Sequence, residues 1–485
     1  MGSQPSLNNA LTSSFRDPAG QLFVIGGRII RKVNSSGVED FRAFLDSATL
    51  RKFSKLGRLV RTDILDATKV REILETGDIN LVNPTDDSLV VEHEKVPFQS
   101  FPYEWPAEML HSAGQLTLDL AESLLDEGLG LKDATPYNIL FRGPEPVFVD
   151  LLSFERRNTG DPIWLPQAQF ERTFLLPLLV NKYFGMQLDQ LLAVRRDGLE
   201  PEDVYRICGP FRRLLPPFLS LISIPSWLSA KHNQDDHSIY GSKILENVQK
   251  ARFILKSVFK RLRRILRNLE PKGGKSSVWS DYTTTNNNYS AADFTSKNKF
   301  VEDAMAEFKP KRVLDIGCNT GHYSSVAARS GAAVVALDSD EIVVGETWRR
   351  ASAESLNILP LVINFTRPSP AIGWRNRECP SFLDRARGGF DAVLMLAVIH
   401  HLLVSERIPL PDIIDLAAEL TTDILIIEFV ASDDSMFRRL TRGRDHLFAD
   451  LTPQLFESTC SPKFQIVRSQ HLDHTRRWLY VLRKK

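Results

Sequence analysis

The stretch VLDIGCNTGHYS, residues 313–324, sets a carboxylate, two glycines and an asparagine at alternating positions: Asp315, Gly317, Asn319 and Gly321. An apolar strand runs into a turn and then into a helix. Gly317 and Gly321 let the backbone turn tightly and approach a ligand. A dinucleotide fingerprint needs glycine at 317, 319 and 322, and the chain has Gly317, Asn319 and His322 there. The glycine that lets a helix pack under a pyrophosphate is absent, and Asp315 sits at the strand end. That arrangement suits a cationic ligand without phosphate. Asp338 in VVALDSD, Asn364 in LVINF and Glu428 in DILIIEFV end later strands. His400 and His401 lie in MLAVIHHLL, beyond the fourth strand. Histidine titrates near neutral pH and can serve as a base. His400, His401 and Glu428 are therefore the candidate catalytic residues, and no full set of metal ligands is evident among them.

These residues need a scaffold that brings strand ends together. From residue 310 onward, apolar strands alternate with helical segments, and FQIVRSQ with RRWLYVLRK closes the chain as an antiparallel edge hairpin. The pattern predicts an α/β fold with a doubly wound, Rossmann-like parallel sheet. Ligands of such sheets bind at the carboxyl ends of the strands. Two polar stretches, 364–378 and 432–448, leave strand ends, so both are expected to line an acceptor pocket.

The set of Asp315, Gly317, Asn319, Gly321, Asp338 and Asn364 resembles the motifs of class I S-adenosylmethionine-dependent methyltransferases. The first family motif is acidic-x-Gly-x-Gly-x-Gly, and the chain departs from it only at Asn319, a residue that tolerates left-handed turns. The resemblance covers about 275–485. It implies S-adenosylmethionine as cofactor, with Asp338 at the ribose hydroxyls and Asn364 near the adenine. A segment ahead of the first strand, with Tyr282, Tyr289 and Lys297, is expected to fold over the cofactor.

Upstream lies a second constellation. LKDATPYNILF, residues 131–141, and VFVDLLSFE, residues 147–155, carry Asp133, Asn138 and Asp150. Their types and order resemble the catalytic loop and metal-binding aspartate of kinases and aminoglycoside phosphotransferases. The departures are large. Leu131 replaces the loop histidine, Leu-Leu follows Asp150, no phosphate-covering glycine loop is present, and Lys32 is only near the right strand. The region reads as a degenerate kinase-like fold, or as an unrelated α+β domain with Asp133 and Asn138 in local turns. The whole layout also resembles a bacterial group of methyltransferases that includes a host-specific nodulation protein.

The expected organisation is a disordered tail at 1–20, an α+β domain at 21–165, a helical connector at 166–270 and the methyltransferase domain at 275–485. In the α+β domain, 21–33 reads as a hairpin turning at Gly26-Gly27, 38–57 as one helix, 106–128 as a periodic helix and 146–155 as a strand. A basic amphipathic helix at 243–270 ends the connector. A formal net charge of +1 over 485 residues gives no global field for nucleic acid, so none is expected as partner. No apolar run reaches the length of a membrane span. Four dispersed cysteines suit a reducing compartment, and the cytoplasm is the expected location. The expected activity is methyl transfer to a polar small-molecule or carbohydrate-like acceptor. The alternatives are a kinase-like or bifunctional phosphotransferase with a regulatory S-adenosylmethionine-binding domain, and a binding module without turnover.

Overall fold

The structure, a computed structural model, describes residues 12–14, 17–76, 87–229, 244–274 and 289–485. Five antiparallel strands open it: β1 (Thr12–Ser14), β2 (Gly20–Ile25), β3 (Arg28–Val33), β4 (Thr62–Ile64) and β5 (Leu89–His93). Their order in the sheet is β1-β2-β3-β5-β4. Gly26 and Gly27, with φ of 57° and 79°, make the tight turn between β2 and β3 that left-handed pairs favour. Part of the region expected to be a disordered tail is instead β1, which extends this hairpin by pairing with β2.

The helix expected at 38–57 is two helices, Ser35–Leu45 and Ala48–Lys55. The break falls at Ser47, whose hydroxyl accepts from the Leu50 amide at 3.0 Å and starts the second helix. Helix Ala107–Leu124 is buried along most of its length. Short strands β6 (Leu129–Leu131), β7 (Ile139–Arg142), β8 (Glu145–Phe148) and β9 (Phe154–Arg156) follow. The expected strand at 146–155 is thus interrupted. Asp150 bends the chain by accepting the Ser153 amide on its carbonyl and the Ser153 hydroxyl on its carboxylate, at 3.2 and 2.9 Å.

The basic helix, Val248–Asn268, buries Leu255, Phe259, Leu262 and Leu266 and packs on helix 107–124. Its cations are only partly a solvated face. Arg263 pairs with Asp119 and Glu122, Arg261 with Glu171, and Arg252 with Asp126. This helix belongs to the N-terminal body rather than to a loose connector.

The C-terminal half is a seven-stranded sheet made of β10 (Arg312–Ile316), β11 (Ala333–Asp338), β12 (Ile358–Val362), β13 (Phe390–Met395), β14 (Thr421–Val430), β15 (Phe464–Leu472) and β16 (Arg477–Lys484). The order is β12-β11-β10-β13-β14-β16-β15. Its first five strands are parallel, and the closing hairpin adds to β14 through β16. The side chains alternate between faces as the pleat requires. Val313, Val334, Ala392 and Ile426 join Phe300 and Met305 of helix Ala291–Phe308 on one side. Leu314, Val335, Val393 and Ile427 face the core shared with the rest of the chain.

The N-terminal body packs against the β12 side of this sheet. Trp348 donates to the Pro144 carbonyl at 3.1 Å, and Asn181 donates to Glu341 at 2.8 Å. Glu104, fully buried, pairs with Arg385, whose guanidinium lies over the rings of Phe98, Phe101 and Phe382. Every residue of β12 is buried, and the strand touches β7 and the turn at Pro102–Glu104. A sheet edge that would template pairing with another chain is thereby closed. Among the described residues, no helix is long and apolar enough to cross a membrane. All four cysteines are free and buried.

Candidate active site

The strand order reverses at β10, which lies between β11 and β13. The crevice beyond such a switch point is where a doubly wound sheet receives a ligand. A cavity of about 390 Å³ opens there, a size suited to a small-molecule cofactor. Asp315, Gly317, Asn319, Asp338 and Asn364 all line it.

The backbone makes the floor. Gly317 and Gly321 have φ of 73° and 74°, and Asn319 has φ of 51°. A Cβ on Gly317 would come within 2.4 Å of Val398, and one on Gly321 within 2.6 Å of Thr347. Gly321 therefore acts beneath the cavity by letting helix 341–354 approach, while Gly317 and Asn319 meet the cavity directly. The amides of Gly317 and Cys318 both donate to the Leu337 carbonyl, at 2.8 and 2.9 Å, and this ties the turn to β11.

The two aspartates carry the charge. Asp315 is buried and accepts from Ser324 at 2.5 Å. Burial pushes its carboxyl up to about 6, against the help of that hydrogen bond. Asp338 accepts the amides of Asn319 and Asp340 at 3.0 and 3.1 Å, and burial raises it too. Asn364 holds its side-chain oxygen on the Thr366 amide and hydroxyl, at 3.0 and 2.6 Å. Two carboxylates held against their preference for water are an arrangement that a cationic ligand relieves.

The three candidate catalytic residues separate. His401 lines the cavity, beside Ser405 and Glu406. Burial and the Arg477 charge lower its titration, which keeps the ring neutral near pH 7. His400 is fully buried outside the cavity wall; its ring stands 4.2 Å from that of His401, and among the described residues neither of its nitrogens has a hydrogen-bond partner. Helix Ile399–Val404 turns by about 100° per residue, so adjacent histidines face different ways. Glu428 is fully buried and also off the cavity wall. Lys297 donates to its Oε2 at 2.6 Å, while Arg477, at 3.3 Å, and Tyr289 both donate to its Oε1. Burial alone would raise the Glu428 carboxyl; Lys297 and Arg477 overcome that and hold it at about 2. Asp434 completes the network by taking Arg477 at 3.0 and 3.2 Å. A carboxylate so committed is a poor base. It anchors Tyr289 and Lys297, which do line the cavity as the segment ahead of β10 was expected to do. Tyr282 lies outside the described residues.

The two polar insertions differ from expectation as well. Of 364–378, only Asn364, Phe365 and Thr366 reach this cavity. The rest runs toward the N-terminal body, where Ser369 donates to Glu104 and Glu378 pairs with Arg196. Of 432–448, no residue lines the cavity, and Asp434 is drawn instead into the Arg477 pair. Sequence reading missed Ser324, Asp434 and Arg477; a serine one helical turn beyond the glycines was the signal available for Ser324.

In the N-terminal body, Asp133, Asn138 and Asp150 do gather. Asn138 donates to the Ser153 hydroxyl at 2.9 Å, and that hydroxyl donates to Asp150. Arg31 of β3 forms an ion pair with Asp150. Lys32 is excluded from this position because neighbouring strand residues face opposite sides.

Residues 288–471 match the family model described as a methyltransferase domain. Over 475 residues the chain is 30% identical to nodulation protein NoeA of Rhizobium meliloti strain 1021, covering 98% of this chain and 96% of that protein. This chain belongs to the NoeA family. It is a class I methyltransferase, and its cofactor is S-adenosylmethionine. A shorter stretch of 98 residues is 33% identical to the ubiquinone biosynthesis O-methyltransferase of Caulobacter vibrioides, covering 20% of this chain and 33% of that one. Among solved structures, the N-methyltransferase NodS of Bradyrhizobium japonicum WM9 is 14% identical with a TM-score of 0.30, covering 40% of this chain and 97% of NodS. The residues present fit the cofactor: two raised carboxylates face a cavity of adequate size, and the glycine turn leaves its floor open.

Proposed function

We propose that this methyltransferase acts on a polar small-molecule or carbohydrate-like acceptor. Asp315, Gly317, Asn319, Asp338 and Asn364 would hold the cofactor, with Gly321 shaping the turn beneath. Bound there, S-adenosylmethionine supplies an electrophilic methyl group on a good leaving group. The observation that carries the reading is the cavity wall beyond β13, where His401, Ser405 and Glu406 line one side and Thr366 the other. A neutral histidine at the acceptor side can take the proton that a hydroxyl or amine group loses as its oxygen or nitrogen gains the methyl group. Alignment of acceptor and donor in the enclosed crevice supplies much of the remaining rate. His400, directly behind His401, and Glu428, through Tyr289 and Lys297, position this wall without touching the acceptor.

Labelled-methyl transfer into fractionated cell extract tests the acceptor class, with label expected in the polar small-molecule or glycan fraction. Label confined to protein or nucleic acid would defeat the proposal. His401→Gln is expected to lower turnover by about 10²–10⁴-fold, the usual contribution of a general base, with cofactor affinity unchanged. Turnover near the original rate would remove His401 from the chemistry.

A further inference from the structure

Large apolar side chains stand out from the helical part of the N-terminal body. Phe211 is 86% exposed, Leu214 62% and Leu215 56%, on the helix Pro210–Arg213 and the turn that follows it. From 209 to 216, Arg213 is half-buried and the rest are exposed. Trp227, on helix Ile224–Ser229, is exposed as well. Single exposed leucines are ordinary on a protein surface, whereas a group of this size marks a contact. Pro210, Pro216 and Pro217 fix φ along the projection, so little further order is lost when it meets a partner.

The projection is tied down from beneath. Ser223 donates to the Arg213 carbonyl at 2.7 Å. The Arg213 guanidinium folds back over the Tyr205 ring, 3.8 Å from its centre, and donates to the Tyr205 carbonyl at 2.9 and 3.2 Å. Arg212 lies over the Phe184 ring at 5.1 Å and donates to the Tyr183 carbonyl at 3.3 Å. Trp227 donates its indole N–H to the Tyr205 hydroxyl at 3.2 Å. Tyr205 thus joins the Phe211 and Trp227 edges into one patch. The polar atom of the indole is satisfied, which leaves its exposed ring to an apolar neighbour.

The charge of the patch has one sign. Residues 204–229 contain Arg206, Arg212 and Arg213 and no aspartate or glutamate. Arg206 pairs with Asp203 at 3.2 Å. Among the described residues, Arg212 and Arg213 meet ring faces and backbone carbonyls but no carboxylate.

This layering selects the partner. The apolar tips project furthest, and the guanidinium groups sit behind them on aromatic rings. A bilayer has the complementary order, with anionic headgroups over hydrocarbon, and tyrosine and tryptophan favour the boundary between the two. A second copy meeting the patch face to face would set arginine against arginine. We propose that this patch docks the protein on an anionic membrane surface. Phe211 and Leu214 enter the headgroup layer, and Arg212 and Arg213 meet lipid phosphates. The docking goes beyond the acceptor reading and does not depend on it.

Co-sedimentation of the full chain with vesicles tests this, using phosphatidylglycerol mixed equally with phosphatidylcholine against phosphatidylcholine alone. Binding to the anionic vesicles should be tighter by about tenfold or more and should weaken as salt rises. Phe211→Ser combined with Leu214→Ser should weaken that binding by about tenfold or more. Arg212→Gln combined with Arg213→Gln should remove most of the preference for anionic vesicles. S-adenosylmethionine affinity, measured in the same samples, should stay unchanged and reports that each variant is folded. The proposal is overturned by absence of binding to anionic vesicles at low salt, by equal binding to both vesicle types, by a serine variant that binds as the unaltered chain does, or by a glutamine variant that keeps the full preference. An oligomer that Phe211→Ser disperses would also overturn it and assign the patch to a second copy. None of these outcomes bears on the cofactor crevice, so failure here is distinct from failure of the methyl-transfer reading.

Discussion

Asp315 and Asp338 face a cavity, the first accepting from the Ser324 hydroxyl and the second from backbone amides, whereas Asp150 meets a guanidinium. Burial acts on all three, yet with opposite outcomes. Asp315 and Asp338 are pushed up, and Asp150 is held below its ordinary range because Arg31 outweighs burial. A strand-end aspartate without a cation is an invitation to one, and under the proposed function a sulfonium cofactor would answer it. A strand-end aspartate with a built-in cation has lost that capacity. Types and order of residues look equally functional in both halves; the carboxylates differ in whether a protein cation already holds them.

That contrast is open to direct attack. The largest effect is expected from the anchored carboxylate. Glu428→Ala leaves Lys297 and Arg477 buried without their shared partner and should cost about 3–5 kcal/mol of stability, read by denaturant unfolding. A loss below roughly 1 kcal/mol would show that the network is not under tension. Next comes Asp315→Asn. The folded carboxyl is raised, so its stabilising contribution is present below pH 3.8 and lost as pH rises through about 6. At pH 7 the ligand-free variant should therefore be more stable, on the order of 2–3 kcal/mol, while cofactor binding disappears. If the variant were less stable at pH 7, burial would not be what raises the Asp315 carboxyl. The same titration predicts that cofactor affinity of the unaltered chain declines as pH drops below about 6, measurable by calorimetry across buffers.

Asp338→Ala should weaken the cofactor by about 10–100-fold and cost about 1 kcal/mol of stability, since the Asn319 and Asp340 amides lose their acceptor. The smallest effect belongs to the N-terminal cluster. Burial and the Asp150 charge raise Asp133. Asp133→Asn should shift stability by no more than about 0.5 kcal/mol and leave methyl transfer intact. A collapse of activity would mean that the two halves are chemically coupled after all.

The parallel strands were legible because each is a short apolar run bounded by turn residues, and the cofactor crevice followed from their order. Gly317 and Gly321 were legible because their backbone angles admit little else. The Glu428 network was not, since Tyr289, Lys297, Asp434 and Arg477 come from segments far apart in the chain and no spacing rule links them. Arg31 and Asp150 are 119 residues apart, so their ion pair could not be read from LKDATPYNILF. Which of two adjacent histidines faces the crevice depends on helix rotation, which neighbouring positions alone do not fix. The interrupted strand near Asp150 was missed because Ser153 closes a turn inside an otherwise strand-like run.

The covering of β12 reaches beyond the fold. A strand whose outer flank is sealed by the same polypeptide leaves the catalytic half without a finished border of its own. The buried flank of β12 ties the two halves into one folding unit, so residues 289–485 produced alone should expose that strand to other chains.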